Sequence, residues 1–176
     1  MSIHPRLITR IAVFAALVYV LSWGTSYLPN VNFIFFLVFT SGFVWGATAG
    51  SLVGLIGMGL WTNLNPYGPA DVAVMCAQMI GAAAGGPVGA IFNRIRLGER
   101  KGWSLVSGLV LAAIACTLAF YLPVNVVDAW VYQPFWPRFV VGVVWMLISL
   151  GSNAVIFPLL FPVTRRLYER ECSRPH

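Results

Sequence analysis

Three short polar segments of an otherwise apolar chain, 24–32, 62–71 and 123–138, hold most of the side chains able to grip a small molecule. They contribute Asn32; then Asn63, Asn65, Tyr67 and Asp71; then Asn125, Asp128, Trp130, Tyr132, Gln133, Trp136 and Arg138. Amides and carboxylates hydrogen-bond ring nitrogens and hydroxyls, and flat heterocycles stack on tryptophan and tyrosine. This is chemistry for holding a ligand, and these residues form the candidate substrate-binding set. Two competing uses stand beside it. Tryptophan and tyrosine also form belts at membrane interfaces, so Trp130, Tyr132 and Trp136 fit either role. Asp128 and Arg138 can pair with each other, an exposed contact of small energy.

Gln78 differs, because it falls within an apolar run, where a polar amide needs a partner inside the bundle. It joins the binding set as a cavity-lining residue, the alternative being a helix–helix hydrogen bond. Asn153 falls deeper in its apolar run and reads as structural. Cys76 lies near the 62–71 segment, where a thiolate could ligate a soft metal such as the cobalt of a corrinoid. The other reading is a packed small thiol, and the three cysteines, Cys76, Cys116 and Cys172, show no metal spacing. The only histidines, His4 and His176, stand at the ends of the sequence. No paired ionisable groups fall within the apolar runs, so no catalytic residues are expected.

The elements that must position these groups follow from composition. Of 176 residues, 59% are hydrophobic and 9% charged, against about a quarter charged in a soluble domain. Mean hydropathy is +0.82. The expected fold is an all-α integral membrane protein, a compact bundle of six transmembrane helices forming one domain over 1–176. There is room for roughly six spans of about 20 residues and for little else. The expected spans are 11–23, 33–44, 47–61, 72–91, 103–122 and 139–162. The first run lacks a small-x-small cleavage site before Trp23 and reads as a retained span. No G-x-x-x-x-G-K-[ST] phosphate loop is present, so any ATP must act through partner subunits.

Two of these spans carry glycines four residues apart: Gly46, Gly50 and Gly54 in one, Gly81, Gly85 and Gly89 in the other. Residues at that spacing share a helix face, and a glycine row lets another helix approach closely. The polar 62–71 segment between them is stiffened by Pro66 and Pro69. Basic residues set the orientation. Arg6, Arg10, Arg94, Arg96, Arg100, Lys101, Arg165, Arg166, Arg170 and Arg174 fall on one side of a six-span arrangement, and Arg138 alone on the other. Both termini and the 93–102 loop are therefore expected in the cytoplasm, and the three polar segments outside. The net charge of +6 is a topology signal, not a nucleic-acid footprint.

With these features assembled, the chain resembles the substrate-binding S components of energy-coupling factor (ECF) vitamin transporters. The resemblance rests on the Ala12/Ala16 pair in IAVFAALVYVLS, on the run SGFVWGATAGSLVGLIG with Ser41, Gly42, Gly46 and Gly50, and on the six-span length. Where family members often carry an acidic residue soon after that run, this chain has Gly57 and Met58. The resemblance implies a subunit in a prokaryotic plasma membrane that captures a vitamin or precursor outside. It then docks through Ala12 and Ala16 on a membrane coupling subunit driven by two cytoplasmic ATPases. Two alternatives are a solitary transporter of, for example, a corrinoid, and a six-span scaffolding protein. A scaffold would have no need of the polar outer segments.

Overall fold

The computed structural model describes residues 5–173; His4, Arg174 and His176 lie outside them. These residues form seven α-helices: α1 (Pro5–Gly24), α2 (Ile34–Trp45), α3 (Ala47–Leu64), α4 (Val72–Ala83), α5 (Gly85–Arg94), α6 (Gly102–Val131) and α7 (Phe135–Cys172). A single 3-10 turn, Leu97–Glu99, lies between α5 and α6. Four helical stretches are long and apolar enough to cross a membrane: Pro5–Gly24, Val72–Arg94, Gly102–Val131 and Phe135–Cys172. The second of these is α4 and α5 taken together, bent at Ala84.

The molecule is arranged around α2. Its sequence, IFFLVFTSGFVW, is apolar on every side, and a helix of that kind has to be surrounded. Every residue from Ile34 to Phe43 is buried. At 12 residues α2 is about 18 Å long, short of a bilayer's roughly 30 Å hydrocarbon core. It joins α3 without a loop, because Gly46 takes φ 92°, a left-handed backbone that glycine adopts without penalty.

Backbones touch where the glycines fall. A Cβ on Gly50 would sit 2.6 Å from Gly86 Cα and 2.7 Å from Gly42 Cα, and one on Gly54 would sit 2.6 Å from the Ala82 carbonyl oxygen. Gly89 meets the Phe39 carbonyl just as closely. The close approach of α2, α3 and the α4–α5 bend is thus made by Gly42, Gly50, Gly54, Gly86 and Gly89. From the expected rows, Gly46 serves the turn instead, while Gly81 faces Phe120 and Gly85 faces Val38.

The helices run back and forth between two ends. At one end, Arg10 pairs with Glu171 and its guanidinium lies 5.8 Å from the Trp45 ring centre. There Asn93 also donates to the Phe43 carbonyl at 2.8 Å. At the other end, the Tyr67 hydroxyl donates to the Ser26 carbonyl at 2.7 Å, and the Asn30 amide to the Trp145 carbonyl at 2.9 Å. The Asp71 N–H reaches the Tyr132 hydroxyl at 3.3 Å. Between the ends lies a layer of buried phenylalanines. The Phe39 and Phe157 rings meet at a tilt with centres 5.1 Å apart, and Phe36, Phe43 and Phe161 pack around them.

One expected loop is mostly helix. Residues 123–131 complete α6 and 135–138 begin α7, leaving only Tyr132, Gln133 and Pro134 between them. Pro123, Asn125 and Asp128 are loop-like residue types, yet a membrane-type helix absorbs a proline because neighbouring helices satisfy the freed backbone groups. Pro158 and Pro162 are absorbed in the same way inside α7.

Candidate functional site

A cavity of about 810 Å³ opens at the end where Tyr67 meets Ser26. Its walls come from the 25–32 segment, the start of α2, the last turns of α3 and α6, the first turns of α7, and Gln78 of α4. Apolar surface is supplied by Phe35, Met58, Trp61, Phe120, Tyr121 and Trp145. Phe35 and Phe120 meet edge-to-face at 5.2 Å, which fixes both rings as a rigid wall. The Tyr121 hydroxyl is held by Ser149 at 2.8 Å, and Ser149 also donates to the Asn30 carbonyl at 3.0 Å, so α6, α7 and the 25–33 segment are pinned together here.

Three amide side chains enter this cavity with a buried polar atom that no group among the described residues satisfies: Oδ1 of Asn32, Oε1 of Gln78 and Nδ2 of Asn125. Buried polar atoms are normally paired, and each one left unmade costs about 1–3 kcal/mol. Asn125 reaches its place because Gly142 stands opposite on α7, where a Cβ would lie 2.7 Å from the amide carbon. Two acceptors and a donor converging on one cavity form a recognition pattern for a molecule carrying both kinds of group.

At the rim, Arg138 donates to Asp128 through Nε at 2.6 Å and Nη2 at 3.3 Å, a forked pair joining the last turn of α6 to the first of α7. The same guanidinium lies 5.0 Å from the Tyr132 ring centre. Together these contacts tie the α6–α7 connection into a stiff edge beside the opening.

Of the residues singled out in the sequence, Asn32, Tyr67, Gln78, Asn125, Asp128 and Arg138 line the cavity. The others do not. Asn63 donates back to the Gly59 carbonyl at 2.8 Å and touches Met75 sulfur. Asn65 closes its own turn, donating to the Gly68 carbonyl and accepting from the Tyr67 N–H. Asp71 caps α4 by accepting from the Ala73 N–H at 2.8 Å. Short polar side chains near helix ends satisfy the local backbone first, which explains all three.

Trp130 and Trp136 are 73% and 71% exposed and face outward, the interfacial arrangement. Gln133 braces its own turn through the Trp130 carbonyl and the Phe135 N–H. Cys76 is exposed on the outside of α4, so a corrinoid in this cavity would not meet its thiol. Asn153 donates to Thr117 at 3.0 Å within the α6–α7 contact.

No protein-family model, no curated protein and no solved structure is similar to this chain. The reading of the site therefore rests on its geometry.

The aromatic wall was not legible in the sequence, because Phe35, Phe120 and Trp145 stand in runs where apolar residues are the rule. Trp61, next to the polar 62–71 segment, and Tyr121, two before Pro123, carried a usable signal. A bulky amphipathic ring at the polar end of an apolar run belongs either at the interface or in a mouth.

Proposed function

We propose that this chain is a six-span membrane subunit that captures a small vitamin-like heterocycle from outside the cell and hands it to an ATP-driven ECF-type module. The observation carrying this reading is the set of unsatisfied amides of Asn32, Gln78 and Asn125 set among aromatic rings in one open cavity. A planar molecule with ring nitrogens, carbonyls or hydroxyls answers those groups while stacking on the walls. The volume falls in the usual range of small-molecule sites, about 300–1,000 Å³.

Two further observations support it. The phenylalanine layer of Phe36, Phe39, Phe43, Phe157 and Phe161 fills the bundle beneath the cavity, so the site is a blind cup, not a pore. A sealed floor suits a subunit that captures its ligand on one side and passes it on through a partner. Ala12 and Ala16 are both exposed on the outer face of α1, where small side chains leave room for a neighbouring helix to come close. The six crossings of this reading are α1, α2 with the 25–33 segment, α3, α4–α5, α6 and α7, with both ends in the cytoplasm of a prokaryotic cell.

The test is mass spectrometry of small molecules released from the protein after purification in detergent. A heterocycle retained in stoichiometric amount, and lost from the Asn125→Leu variant, is the expected result. Release of lipid alone from both proteins, with no binding in a screen of vitamins, would remove the reading.

A further inference from the structure

A second cleft, of about 500 Å³, lies at the opposite end of the molecule, between the end of α5, the 95–101 segment and α7. Its floor is aromatic: Phe43 and Tyr168 meet edge-to-face at 5.6 Å. Its rim is basic, with Arg94 and Arg96 on one side and Arg165 on the other. Glu99 and Glu169 also stand there, each occupied by a near neighbour on its own element: Arg96–Glu99 at 3.6 Å and Arg165–Glu169 at 3.2 Å. Both pairs are exposed, so they are weak and can be exchanged for a better acceptor. Arg94 makes no ion pair or hydrogen bond with the described residues, and its charge is available.

Hydrocarbon-facing surface begins immediately beside these charges. Ile91, one turn before Arg94 on the same helix face, is 52% exposed, and Pro162, one turn before Arg165, is exposed as well. A free anion has no use for that juxtaposition. A phosphate carried by a lipid does, because its headgroup sits at the level of the arginines while its chains lie along the aliphatic surface. We infer that this cleft binds the phosphate headgroup of an anionic phospholipid, with Arg94 as the principal donor and Arg96 and Arg165 released from their acids to join it. This site is independent of the ligand cavity and of the transport reading.

Native mass spectrometry of the purified full chain in detergent tests it, with titration of phosphatidylglycerol, phosphatidylethanolamine and inorganic phosphate. Phosphatidylglycerol should bind at least severalfold more tightly than phosphatidylethanolamine. Arg94→Gln should weaken it about fivefold, the effect of one basic residue at a charged membrane surface. Arg6→Gln removes the same charge elsewhere on this end and should leave it unchanged. The double variant Glu99→Gln/Glu169→Gln should strengthen binding by freeing both arginines. All variants should keep the wild-type thermal transition. Equal losses from Arg6→Gln and Arg94→Gln would reduce the effect to net charge and overturn the site. Inorganic phosphate displacing the lipid at comparable concentration would make it a free-anion site and overturn the lipid assignment. If Arg94→Gln left phosphatidylglycerol binding at the wild-type level, the cleft would not be the lipid site and the inference would fail.

Discussion

Gln78 is the residue on which the ligand cavity can be tested most cleanly. It stands on α4 in the wall, its Oε1 has no partner among the described residues, and leucine is close to it in volume and suits an apolar helix. Gln78→Leu should therefore fold normally and weaken ligand binding by about 1–3 kcal/mol, roughly 5- to 150-fold. Asn65→Ala is the contrasting variant. Asn65 is spent on its own turn, so its removal should move affinity by about twofold at most, as for a surface substitution. Titration of both purified variants with the copurified ligand decides between them. A loss from Asn65→Ala as large as that from Gln78→Leu would mean that the 65–71 turn takes part in recognition alongside the α4 wall. The sequence made Gln78 and Asn125 visible because an amide among apolar residues is conspicuous. It could not rank Asn65 below them, since nothing in a residue's type says whether its backbone neighbours will claim it first.

At the scale of helices, α1 presents two faces with different work. Ile11, Ala15 and Val18 are buried, and Gly57 of α3 lies so close to Val18 that a Cβ there would sit 2.7 Å from Val18 Cβ. Ala12 and Ala16 face away, between exposed Val13 and Val20. If that face receives a coupling subunit, Ala12→Leu and Ala16→Leu should leave ligand affinity of the isolated chain unchanged and reduce uptake in cells by tenfold or more, about 1.4 kcal/mol of docking energy. Uptake at wild-type rate in both variants would assign the face to lipid. Helix identity was readable in the sequence for α1 and for the α4–α5 stretch, where apolar runs end in polar turns. It failed at the α6–α7 connection, where Pro123, Asn125 and Asp128 mimic a loop. It also could not show that α2 would be enclosed on every side, because a uniformly apolar run suits a lipid-facing span and a central helix equally.

Across the whole molecule, the distribution of charge and the direction of the helices describe one polarity. Arg10 pairs with Glu171, and Arg94, Arg96 and Arg165 share a cleft, so the start of α1, the end of α5 and the end of α7 gather at one end. The ligand cavity lies at the other, with Arg138 as the basic residue beside it. At 38 residues α7 is roughly 57 Å long, nearly twice the hydrocarbon thickness, so its last turns bearing Arg165, Arg166 and Arg170 stand beyond the apolar zone. If the basic end is held in the cytoplasm, as in the proposed reading, the cavity mouth opens outside. Single cysteines test this in intact cells once Cys76, Cys116 and Cys172 have been replaced. Tyr27, 77% exposed beside the cavity, should be labelled as cysteine by a membrane-impermeant thiol reagent. A cysteine at Arg100, on the segment joining α5 to α6, should be labelled only after the membrane is opened. The reverse pattern would turn the cup toward the cytoplasm, where it would receive a ligand leaving the cell, and the capture reading would have to be replaced by one of export.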